Sequence, residues 1–160
     1  MKFAFLTLLT TLAALAGFSQ SMPPIDSVRL ATPADYRAAE PVALQVCNYI
    51  LSTPSDDKSL PRLNGTRFLL DWMGGTPDYT FDLDKNVIKY FEKDIDLMGV
   101  YTAALASVAI ENKVLIKEPR AITSLAVKKF IAYIGNINNK VDLNSKLQKM
   151  IAADQKGQFN

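Results

Sequence analysis

Between Leu97 and Ile110 the chain runs for 14 residues, LMGVYTAALASVAI, without a charged side chain. A segment this apolar must be withdrawn from water, yet it is shorter than the ~20 residues a membrane-spanning helix needs. Gly99, Tyr101, Thr102 and Ser107 interrupt it, and it lacks the alternation of a half-buried strand. It therefore reads as a core helix enclosed by other elements. No other stretch shows a convincing strand period, so those elements must be helices too. The expected fold is all-α, a single-domain bundle of five or six helices around one long central helix.

The spacing predicts that central helix from about Lys85 to Lys113. Val87, Phe91, Met98, Tyr101, Leu105 and Val108 follow steps of four and three, broken only at Asp94. Gly99 permits a close crossing or a slight bend. Upstream, Thr32-Pro33-Ala34-Asp35 has a capping threonine, proline at the first helical position and an acidic residue three on. Because proline is costly inside a helix, Pro41 predicts a short first helix to about Ala39. A second then runs to Leu51 with Val42, Val46, Tyr49 and Ile50 on one face and Cys47 beside them. Ser59 caps the next helix, whose apolar side is read as Leu63, Leu70 and Met73, with Phe68, Leu69 and Trp72 adjacent. Two more helices complete the bundle. One is opened by Lys117-Glu118-Pro119, closed by Gly135-Asn136 and faced inward by Ile122, Ala126, Phe130, Tyr133 and Ile134. The last is capped by Asp142 or Asn144 and carries Leu143, Leu147, Met150 and Ile151.

The ends have a different character. Met1-Lys2, the apolar run from Phe3 to Ala16 and the small residues up to Ser19 form the pattern of a secretory signal peptide. Cleavage is expected after Ser19, with Ala16 as the alternative. The chain thus divides into a signal peptide (1–19), a loose leader (20–31), a helical domain (32–154) and a tail expected to fray (155–160). An exported product, periplasmic or secreted, is implied. With Cys47 as the only cysteine, no disulfide can form within the chain. Stability must come from the core.

The densest run of distinctive residues is Asn64 to Asp84, with the only tryptophan and the only Gly-Gly pair. Gly74-Gly75 is expected to end a helix by positive φ, Thr76-Pro77-Asp78-Tyr79 to turn the chain, and Asp82 or Asp84 to cap the next helix. Trp72, Tyr79 and Phe81 are placed to fold back on one another around this corner.

The chain has no histidine, which excludes Ser-His-Asp and Cys-His sites. Histidine-and-cysteine zinc sites lack their ligands, and Asp82-Leu83-Asp84-Lys85-Asn86 imitates a calcium loop only at its start. No cofactor or metal is expected. Carboxylates remain as acid/base candidates, namely Asp71, Asp78, Asp94, Asp96 and Glu111. The structural alternative pairs Asp94 with Arg67 or Arg120 and bonds Asp78 within its own turn. If the corner binds anything, the residues concerned are Arg67, Asp71, Trp72, Asp78, Tyr79 and Asp94. Charge is uneven: from Asn112 to Asn160 there are 9 basic and 3 acidic residues. That asymmetry reads as packing against the acidic first part, or as contact with an anionic surface. Nucleic acid is not an expected partner, because interleaved aromatics are missing.

The run from Arg67 to Phe81, RFLLDWMGGTPDYTF, with Ala43 to Pro54 before it and Ile110 to Lys113 after it, resembles an uncharacterised family of small exported proteins from Bacteroidetes-type bacteria. The resemblance implies export and a helical domain, and assigns no catalytic or binding residue. The expected function is an exported, non-catalytic α-helical binding module of the bacterial envelope, acting on a partner protein or envelope component. The alternatives are a carboxylate-dependent hydrolase acting on cell-wall material and a carrier of an apolar small molecule.

Overall fold

The computed structural model describes residues 21–159, and the signal peptide expected over residues 1–19 lies outside the described residues. Within them the chain forms six α-helices and no strand: α1 (Pro33–Ser52), α2 (Leu60–Gly75), α3 (Lys85–Ile88), α4 (Ile95–Glu111), α5 (Pro119–Gly135) and α6 (Ser145–Gln155). Short 3-10 turns occupy Lys113–Leu115 and Ile137–Asn139. The helix α4 is the axis of an all-α bundle, with α1, α2 and α5 packed around it and α6 against α5. From Asp96 to Ile110 every α4 residue except Met98 is buried. At ~1.5 Å per residue it spans about 25 Å. No helix of the described residues is long and apolar enough to cross a membrane.

The central helix is shorter than its spacing predicts. The chain leaves helical geometry between α3 and α4, where the Asp94 carboxylate takes the Leu97 N–H at 2.9 Å and starts α4 afresh. Val87 and Phe91 still reach the core, because the turn lays them against it, although no continuous helix carries them there.

Pro41 does not divide the first helix. The helix α1 begins at the expected capping box of Thr32 and Asp35 and continues through Pro41 to Ser52. Proline removes the N–H that would bond the Arg37 carbonyl, but Pro41 is exposed, so water can serve that group. Burial of Ala39, Ala43, Val46, Cys47 and Ile50 keeps the two halves in line.

The helix α2 buries a different face from the one expected. Arg62, Gly65, Leu69 and Trp72 point inward, while Leu63 and Leu70 are 42% and 44% exposed. The inner stripe follows steps of three and four from Arg62, and the charge at its head disguises it. At the helix end neither Gly74 nor Gly75 takes positive φ, and the helix runs through both to a Thr76 cap. Gly75 is required for space instead: a Cβ there would collide with the Tyr36 ring. A Cβ on Gly99 would likewise strike Thr66, which fixes the close crossing of α2 and α4.

Residues 21–31 form no helix, yet Met22, Ile25, Val28 and Leu30 pack on the core. At the other end α6 closes with Gly157 at φ 74° and hydrogen bonds from Gln158 N to Ala153 O (3.1 Å) and from Gly157 N to Asp154 O (2.8 Å). This is a Schellman closure. Where a frayed tail is expected, it turns Phe159 inward, edge-on to Tyr90.

Candidate functional site

The corner residues serve mainly to fasten the chain. Trp72 is fully buried, and its indole N–H donates to the Tyr36 carbonyl at 2.9 Å. Tyr79 and Phe81 lie against it, with ring centroids 5.7 Å and 6.1 Å away. The Tyr79 hydroxyl donates to Glu40 of α1 at 2.6 Å, and Lys113 reaches the other oxygen of Glu40 at 2.7 Å. Burial, then the Glu40 carboxylate, pushes the Tyr79 phenol up from its ordinary pKa. Asp78 does not bond within its own turn; it accepts three bonds from Nε and Nη2 of Arg37 of α1, the shortest 2.8 Å, and that carboxylate raises the Arg37 pKa. The side-chain bonds of Trp72, Asp78 and Tyr79 thus all run back to α1.

Asp94 caps α4 and pairs with neither Arg67 nor Arg120. Of the six corner candidates only Arg67 and Asp71 are left without a partner among the described residues. They share an open groove of about 560 Å³, floored by Ile25, Val28, Tyr36 and Phe68. The sequence brings these two together through their helical spacing. It does not show that the leader forms the opposite wall.

The ion pair inside the bundle belongs to residues that the charge pattern does not single out together. Arg62 of α2 donates to both oxygens of Asp96, at 2.6 Å and 3.0 Å. Its remaining nitrogen bonds the carbonyls of Ile50 (2.9 Å) and Thr53 (3.1 Å) and the Thr53 hydroxyl (2.7 Å). Ser55 donates to Asp96 at 2.6 Å, and the Tyr133 hydroxyl donates to the Thr53 carbonyl at 2.9 Å. Burial alone would lower the Arg62 pKa, but the bonds to Asp96 outweigh it and the net change is upward. Burial pushes Tyr133 up to about 12. A buried guanidinium with this many acceptors is a structural centre with no donor left for a ligand.

Two nucleophile arrangements are inert. Cys47 is fully buried, and that burial pushes its thiol pKa up, away from the reactive thiolate. Ser107 accepts from Lys129 at 3.0 Å, a spacing reminiscent of a Ser-Lys dyad. Ser107 is fully buried, however, and Lys129 also pairs with Glu111 at 2.9 Å, so its ammonium acts as a donor and not as a base.

A second concavity, about 620 Å³, opens between the 82–86 segment, the start of α5 and the C-terminal turn. Asp82, Asp84 and Arg120 line it. The sequence marks Asp82 and Asp84 as caps and as the start of an incomplete calcium loop, and Asp84 does bond the Asn86 N–H at 2.8 Å. Arg120 and the tail arrive from far along the chain, so no local pattern announces the cavity. Among the described residues no group of three or more His, Cys, Asp or Glu is arranged to hold a metal.

The basic third is partly spent on the acidic part of the chain. Lys113, Lys129 and Lys146 pair with Glu40, Glu111 and Glu92. Lys117, Lys128, Lys140, Lys149 and Lys156 are exposed and have no side-chain partner among the described residues. Comparison with known proteins finds no matching family model, curated sequence or solved structure.

Proposed function

We propose that the protein is an exported, non-catalytic helical binding module of the bacterial envelope, and that its basic C-terminal third meets a phosphate-bearing surface there. The observation that carries this reading is the set of five exposed lysines, Lys117, Lys128, Lys140, Lys149 and Lys156, left without acidic partners. Near an anionic membrane each is worth ~1 kcal/mol, and the sum is screened by salt. Export rests on the signal-peptide pattern of residues 1–19 and on the resemblance given by the Arg67 to Phe81 run. The test is sedimentation of the purified mature chain with vesicles of phosphatidylglycerol and phosphatidylcholine, and with isolated cell wall, at low and high salt. Association with either that salt abolishes supports the reading; association with neither ends it.

A second reading, a carboxylate-dependent hydrolase acting on cell-wall material, is favoured by one observation. Asp82 and Asp84 open onto the same cavity. Release of soluble sugar from cell-wall glycan by the wild-type protein, lost in Asp82→Asn, supports it; no release from wild type ends it.

A further inference from the structure

We propose that the cavity between the 82–86 segment, the start of α5 and the C-terminal turn is a saccharide-binding site. Its volume of about 620 Å³ lies within the range of small-molecule sites. Six polar side chains line it: Asp82, Asp84, Asn86, Arg120, Thr123 and Gln158. Among the described residues, five of these side chains form no hydrogen bond or ion pair with the rest of the protein. The sixth, Asp84, spends a single oxygen on the Asn86 N–H. Asp82 and Arg120 carry opposite charges, face the same space and do not pair. Polar groups are thus gathered here without protein partners, open to solvent or a ligand.

The backbone that presents them is fixed. Asp84 caps α3, Pro119 sets the first turn of α5 ahead of Arg120, and the Schellman closure at Gly157 orients Gln158 and Phe159.

The ligand class is set by the bonding types. Carboxylates only accept, a guanidinium only donates, and amides and hydroxyls do both. A sugar hydroxyl, which donates and accepts, can satisfy all of them, and the apolar edge of Phe159 and Pro119 suits the C–H face of a pyranose. An amino acid would engage Arg120 and the carboxylates and leave Asn86, Thr123 and Gln158 idle. The site is separate from the exposed lysines proposed to meet an anionic surface, and either can fail without the other.

The test is an NMR titration of the mature chain with glucose, galactose, mannose and N-acetylglucosamine, using glycine and L-lysine as controls. Saturable shifts centred on the amides of Asn86, Thr123 and Gln158 are expected with at least one sugar and with neither control. Asp82→Asn and Arg120→Gln should each weaken binding about tenfold or more with unchanged melting. No shift with any of the four sugars, equal shifts with glycine or L-lysine, or unchanged affinity in both variants would overturn the proposal.

Discussion

Arg62 and Asp96 meet inside the bundle through two bonds, 2.6 Å and 3.0 Å long, and so tie α2 to the start of α4. The same guanidinium closes the C-terminal end of α1 by bonding the Ile50 and Thr53 carbonyls. Three helices therefore share one buried cation. Removing either partner strands the other charge, so Asp96→Ala or Arg62→Ala is expected to cost about 3 to 5 kcal/mol. The double variant should cost less than the sum by on the order of 2 kcal/mol. Urea denaturation of the four proteins measures that coupling, and strict additivity would show that the pair contributes nothing.

The corner makes a contrasting prediction. Trp72→Ala empties a fully buried site beneath Tyr79 and Phe81 and should cost about 3 to 5 kcal/mol. Asp78→Ala breaks only the exposed pair with Arg37 and should leave the melting temperature close to that of wild type. Thermal melts of both variants decide whether the aromatics or the ion pair hold the bend.

Much of this architecture is legible in the sequence, and the exceptions share a cause. The burial of α4, the Thr32 capping box and the inner face of α5 are all given by local apolar and capping patterns. The α2 face departs from expectation because Arg62 heads the buried stripe, and a charge is ordinarily counted as outside. The unbroken α1 depends on tertiary burial that outweighs the penalty of Pro41. At the candidate sites, helical spacing places Arg67 beside Asp71. Asp82 and Arg120, in contrast, are joined only by the return of distant segments.

Stability should be flat from about pH 5 to 8, since there is no histidine to titrate. Above that range it should fall. Burial raises the folded pKa of the Cys47 thiol and of the Tyr79, Tyr101 and Tyr133 phenols. An unfolded cysteine loses its proton near pH ~8.5 and an unfolded tyrosine near ~10. Beyond those points the unfolded chain binds fewer protons than the folded one, so the stabilisation present at lower pH is progressively lost. Denaturation midpoints at several pH values between 5 and 11 test this; a midpoint that rises with pH on the alkaline side contradicts it.

Tyr101→Phe should leave the protein as stable as before, or up to about 1 kcal/mol more stable, because the deleted hydroxyl has no partner. A loss of more than that in urea denaturation would mean that the hydroxyl already holds part of the fold.

The most direct test of the functional account is salt-dependent sedimentation of residues 20–160 with phosphatidylglycerol vesicles and with isolated cell wall. Wild type should bind at least one of these surfaces at low salt and leave it at high salt. A variant with Lys117, Lys128, Lys140, Lys149 and Lys156 all changed to glutamine should fold normally and remain in the supernatant. Binding by that variant equal to wild type, or no binding by wild type to either surface, would contradict the account.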